Sequence, residues 1–236
     1  MLNFLKLLVA GLSVIIAPSL AHAQSCAVPQ SLPVPRVETP PPGSARALPI
    51  NGLILALSWS PQFCKSRGSG GKFATQCDKR QNFGFILHGL WPDASGPQEP
   101  RWCRRVGVLP RELIRQNFCA TPSAQLQQHE WAKHGSCIDA DPVRYFGNAG
   151  RMFANVKIPD MDALSRRPAV VGDLTAALFA LNPWLKRDAI GVRLSELGWL
   201  EELRICYNKD YRVAACPGGE RGADPDRKMR IWRNER

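Results

Sequence analysis

The chain reads as an α+β protein, and three observations support that. Short apolar runs of strand length occur on both sides of its middle, stretches of helical character with recognisable caps lie between them, and the two kinds do not alternate in a regular βαβ pattern. Residues 53–59 form an apolar run that ends at Ser60-Pro61, which predicts a buried strand. Residues 82–87 predict a second, delivering the chain to His88 at its C-terminal end. Gly89 allows close approach there, and Pro92 is expected to stop pairing and open a long loop. Residues 109–118 predict a helix, with Pro110 near its start and Glu112 in its first turn. A second helix runs from about Ser123 to a stop at Gly135. Residues 142–156, led by Asp141, predict a third; residues 173–181, capped by Asp173 and ended before Pro183, predict a fourth. Residues 192–197 suit a strand or a short turn. Residues 199–207 and 211–216 suit a hairpin about Asn208-Lys209-Asp210, and residues 228–232 a last strand. The sequence contains no internal repeat.

The organisation of the chain follows from its ends and its cysteines. Lys6 precedes an apolar run over residues 7–17, and Ala21-His22-Ala23 is a small-x-small cleavage site, so residues 1–23 read as a secretory signal peptide. The run is short for a retained membrane anchor. Residues 24–49, with Pro40-Pro41-Pro42-Gly43, form a proline-rich extended leader, and residues 50–236 are long enough for one domain with a substantial core. All eight cysteines survive removal of the signal, which implies disulfides and a periplasmic or secreted location. The polar, glycine-rich loop between Cys64 and Cys77 is an excursion closed by such a bridge. Loss of Lys6 lowers the formal charge from +11 to +10. That charge suits a polyanionic partner without selecting nucleic acid. No membrane partner is expected after cleavage, and the protein is expected to be a monomer.

The chemistry concentrates in His129-Glu130-Trp131-Ala132-Lys133-His134-Gly135-Ser136-Cys137. At about 100° per helical residue, with His129 at zero, Lys133 falls near 40°, Glu130 near 100° and His134 near 140°, while Trp131 and Ala132 point to the other side. Four ionisable groups then share one face. A solvated helix end is the plain reading of such a face. A zinc site is disfavoured, because the histidines are five apart instead of four and a lysine stands between them. Only one other histidine, His88, remains once His22 leaves with the signal.

Two segments, Phe85-Ile86-Leu87-His88-Gly89-Leu90-Trp91-Pro92-Asp93 and His129 to Cys137, resemble the two active-site segments of the ribonuclease T2 family. Leu57-Ser58-Trp59-Ser60-Pro61-Gln62-Phe63-Cys64 and Leu203-Arg204-Ile205-Cys206, followed by Cys216, extend the likeness over residues 53–216. The resemblance implies a central, mainly antiparallel sheet packed against several helices and stapled by disulfides. It implies a metal-independent endoribonuclease that needs no cofactor. Such an enzyme cleaves single-stranded RNA with low base specificity by attack of the ribose 2′-hydroxyl on phosphorus, through 2′,3′-cyclic phosphates. Imidazole suits both proton transfers, since its ordinary pKa is near 6.5. His134 is the expected base and His88 the expected acid, with the reverse order also compatible. Lys133 would hold the charge of the five-coordinate phosphate, His129 would hydrogen-bond it, and Glu130 would support the transition state or orient an imidazole. Trp91, Asp93, Trp59 and Phe85 are candidate base contacts, though a Trp or Phe in an apolar strand, as the last two are, is more often core than ligand wall. Ser58 stands where many relatives carry glutamine. The likeness also implies bridges Cys64–Cys77, Cys103–Cys137 and Cys206–Cys216, which leaves Cys26 with Cys119. The rival readings are a phosphodiesterase acting on small cyclic nucleotides and a non-catalytic RNA-binding or inhibitory protein of the same fold.

Overall fold

A computed structural model describes residues 26–78 and 81–233; the expected signal peptide at residues 1–23 lies outside them. A four-stranded, wholly antiparallel sheet forms the centre, in the order β2-β1-β5-β4. Its strands are β1 (Gly52–Trp59), β2 (Phe85–Asp93), β4 (Ile190–Leu194) and β5 (Leu200–Asn208). A two-stranded ribbon pairs β3 (Ala169–Val170) with β6 (Lys228–Met229). β1 is central and nearly all buried, which is why it reads as a continuous apolar run instead of an alternating one.

β2 is longer than the 82–87 run predicts. It continues through Pro92, which pairs with Leu53, and ends at Asp93 opposite Gly52. Pro92 is tolerated because β2 is an edge strand. His88 therefore sits in mid-strand, and there the pairing slips: Ala56 faces Gly89 while Leu57 faces Leu87, so His88 is the extra residue of a β-bulge. The Leu87 backbone bonds to the turn ahead of the helix that starts at Ala124, its N–H to the Ala120 carbonyl at 2.8 Å and its carbonyl to the Thr121 hydroxyl at 2.7 Å.

Helices α1 (Ser60–Arg67) and α2 (Ala74–Cys77) follow β1, then α3 (Arg111–Asn117), α4 (Ala124–Glu130) and α5 (Ser136–Ile138). The remaining helices are α6 (Pro142–Asn155), α7 (Met161–Ser165) and α8 (Val171–Leu181). Ser123 caps α4 by accepting from the Leu126 N–H, and Asp141 caps α6 by accepting from Val143. Asp173 is inside α8, not ahead of it, and accepts from the Val170 N–H at 2.9 Å. Gly135 does not stop its helix. Residues Trp131–Gly135 form one π-helical turn, and α5 continues beyond them. Gly135 is needed for proximity, since a Cβ there would lie 2.6 Å from the Trp131 ring and 2.9 Å from Tyr145. After β5 the chain turns at residues 208–211, but its returning arm makes only an isolated bridge, Tyr207 to Val213, so the expected second hairpin strand is absent among the described residues.

Four disulfides link Cys26–Cys119, Cys64–Cys77, Cys103–Cys137 and Cys206–Cys216. The proline-rich segment after Cys26 packs along α3 and α4, with Leu32 buried and the Gln125 side chain bonded to the backbone N–H and carbonyl of Arg36.

Candidate active site

β1, β2 and β5 present Ser58, His88, Trp91, Glu202 and Arg204 toward α4 and its π turn, which supply Glu130 and His134. The register that places Ser58 beside Glu202 and Ala56 beside Arg204 brings residues 144 apart in sequence to one imidazole. His88 Nδ1 lies 2.7 Å from Glu202 Oε2 and 3.1 Å from Ser58 Oγ, and His88 Nε2 lies 3.6 Å from Glu130 Oε1. Arg204 donates to Glu202 Oε1 at 2.7 Å and bonds Glu220 with its other arm, so the carboxylate facing His88 is held from behind.

Trp91 stands between the two histidines. Its ring is edge-on to His88 at 5.1 Å and within 31° of parallel to His134 at 5.4 Å, with the Arg204 guanidinium 4.9 Å from its centre. Its indole N–H donates to Glu130 Oε2 at 2.7 Å. Gly89 makes that approach possible: a Cβ would fall 2.7 Å from Trp91 Nε1 and against the Glu130 carboxylate.

The four groups placed on one helical face divide into two pairs. Glu130 and His134 are buried against the sheet, while His129 and Lys133 are half-buried at the rim. His129 Nδ1 lies 3.3 Å from Glu38 Oε2, and its ring is edge-on to Trp102. Trp102 holds a left-handed backbone, φ 56°, fixed by its N–H bond to the Lys133 carbonyl at 2.7 Å and by the neighbouring Cys103–Cys137 bridge. The Ser136 hydroxyl donates to the Ala132 carbonyl in the same turn.

The two imidazoles have opposite electrostatics. Burial by itself would lower the His88 pKa, but the Glu202 hydrogen bond and the Glu130 and Glu202 charges outweigh it and hold His88 above its ordinary value. Burial, reinforced by Lys133 and His129, pushes His134 down to about 2. Its Nδ1 is buried with no hydrogen-bond partner among the described residues. Burial raises the Glu130 carboxyl, opposed by His88 and the Trp91 bond. Glu202 lies below its usual value, because the His88 bond and the Arg204 charge overcome burial.

His88, Glu130 and His134 are thus brought together around Trp91, with His129 and Lys133 beside them. Trp59 and Phe85 are not base walls: they are 6% and 0% exposed, pack on each other at 5.0 Å, and belong to the core. Asp93 sits at the far end of β2, lining a cavity of about 310 Å³ with Asn51, Ser95, Tyr207 and Asn208. Burial raises its carboxyl, as do Glu220 and Glu99. Sequence reasoning misses Glu202, Arg204, Glu38 and Trp102. A charged pair, Glu201-Glu202, inside an apolar strand segment was the available signal for Glu202, since a buried strand carboxylate needs a partner.

Residues 50–167 match the model of the ribonuclease T2 family. A probable ribonuclease of Haemophilus influenzae is 33% identical over 74% of this chain and 64% of its own length, so the chain spans less than two thirds of that relative. Ribonuclease I of Escherichia coli is 29% identical, over 66% of this chain and 75% of that protein. Among solved structures, trichomaglin, an S-like ribonuclease, superposes with a TM-score of 0.61 at 19% identity, over 77% of this chain and 97% of its own. An RNase-related protein from Calystegia sepium gives the same TM-score, over 78% and 97%. The family model over half of the sequence and the 33%-identical relative agree, and the chain belongs to the ribonuclease T2 family.

Proposed function

We propose that this protein is an exported, monomeric endoribonuclease that cuts single-stranded RNA by transesterification through 2′,3′-cyclic phosphates without a metal. One observation carries the reading: two imidazoles flank Trp91, one paired with carboxylates and the other buried beside cations. In-line transfer needs one proton removed and one supplied. His134 takes the proton of the ribose 2′-hydroxyl as its oxygen attacks phosphorus. His88, whose pKa its carboxylates raise, gives a proton to the departing 5′-oxygen. Lys133 and His129 face the non-bridging oxygens, where charge grows in the five-coordinate state. Glu130, between His88 and Trp91, steadies both.

Base selectivity is broad on this reading, because the Ser58 hydroxyl is engaged with His88 and Glu202 and offers no amide to a base edge. Four disulfides suit the oxidising periplasm or exterior. The test is digestion of a long RNA of defined sequence with EDTA present, reading product ends base by base. Cyclic-phosphate ends at many bases are expected, with DNA left intact because it lacks the nucleophile. Loss of activity with chelator, or comparable cutting of DNA, would overturn the proposal.

A further inference from the structure

Resting on that reading of His88, we infer that Glu202 is a positioning residue of the reaction, a buried carboxylate that holds His88 by Nδ1 and leaves Nε2 as the atom that exchanges a proton with RNA. The geometry is specific. Glu202 Oε2 is 2.7 Å from His88 Nδ1 and accepts from Ser58 at 3.3 Å, while Oε1 accepts from Arg204 at 2.7 Å. Both carboxylate oxygens are thus committed, and Glu202 is 7% exposed, so it has no place at the substrate itself. Glu220 bonds Arg204, and Arg193 bonds Glu220 at 3.2 Å, so a chain of alternating charges runs from the edge of the sheet to the imidazole.

A carboxylate on one ring nitrogen fixes the tautomer, orients the ring and favours the imidazolium. The β-bulge gives these duties physical weight. His88 is the residue of β2 without a cross-strand partner on β1, so strand pairing alone fixes its ring less firmly than that of a paired residue. The groups facing His88 come from three elements: Ser58 from β1, Glu202 and Arg204 from β5, and Glu130 with His134 from the helical side. Of the two carboxylates, Glu202 is the one at hydrogen-bond distance.

The test compares Glu202→Gln, Glu202→Asp and His88→Ala on RNA across pH, with the ring nitrogens of His88 followed by NMR in the unaltered protein. Glu202→Gln keeps the shape and removes the charge. Its kcat should fall roughly 10- to 100-fold with KM nearly unchanged, below the ~10²–10⁴ attributed to a whole acid–base group. The alkaline limb of its profile should move to lower pH, since the acid loses its proton earlier without the carboxylate. Glu202→Asp, which keeps the charge at shorter reach, should recover part of both. In the unaltered protein the neutral form of His88 should carry its hydrogen on Nδ1.

Inactive His88→Ala together with wild-type kcat and pH profile in Glu202→Gln would overturn the role of Glu202 and leave the proposed function standing. Active His88→Ala would overturn the proposed function itself. Should Glu202→Gln fail to fold, the tautomer decides: a hydrogen on Nε2 of neutral His88 would overturn the inference.

Discussion

The Trp91 indole donates to Glu130 Oε2 at 2.7 Å, which gives a fully buried carboxylate a fixed partner between the two histidines. Trp91→Phe keeps a ring there and removes the donor. Stability should fall by about 1–3 kcal/mol, the usual cost of leaving a buried polar group unpaired. Activity should fall as well, because the Glu130 carboxyl, already raised by burial, rises further without the bond that now lowers it. Urea unfolding alongside RNA cleavage checks both. Unchanged stability would show that the bond contributes nothing.

Two glycines should respond in opposite directions to the same substitution. Gly89→Ala drives a methyl into the Glu130 carboxylate and the Trp91 nitrogen, and should cost about 1–3 kcal/mol with most of the activity. Gly150, in α6, has open space about it, so Gly150→Ala should stabilise by about 0.4–1 kcal/mol and leave cleavage untouched. Thermal melts of the two variants test the contrast.

What the sequence makes legible is local. The apolar run at residues 53–59, the caps Ser123 and Asp141, and the two histidine segments all signal within a few residues of themselves. Features that depend on pairing do not. The bulge at His88 exists only against β1, and the Ser58–Glu202 register joins positions 144 residues apart. The 100° wheel already sets His129 beside Lys133 and Glu130 beside His134, but only the packing decides that Glu130 and His134 are the buried pair and His129 and Lys133 the rim pair. Trp59 and Phe85 look alike as core or ligand walls until the packing of strands decides.

The Cys103–Cys137 bridge joins the loop carrying Trp102 to the helix just past His134. Replacing both cysteines by alanine should cost about 2–4 kcal/mol, most of it through the unfolded chain. It should also lower kcat, because the left-handed Trp102 and its bond to the Lys133 carbonyl lose their neighbouring anchor. Parallel measurement of unfolding and cleavage separates the two effects. A variant that melts earlier yet cleaves at the original rate below its melting temperature would show that the bridge does not hold the site.

The pH dependence of stability isolates His134. Its folded pKa is depressed to about 2 from an unfolded value near 6.5. Below pH 6.5 the unfolded chain therefore takes up a proton that the folded protein refuses. The stability associated with neutral His134 is present above pH 6.5 and is lost progressively as pH falls toward 2, with a limiting slope of about 1.4 kcal/mol per pH unit. His88 and Glu130 work in the other direction, since their folded values are raised: each adds stability at low pH that is lost as pH rises through its folded value. The difference between the unaltered protein and His134→Gln removes those shared contributions. Between pH 5 and 6.5, denaturant unfolding of the unaltered protein should lose stability on acidification faster than that of His134→Gln. Parallel curves would mean that His134 binds its proton equally well folded and unfolded, and that burial does not depress it.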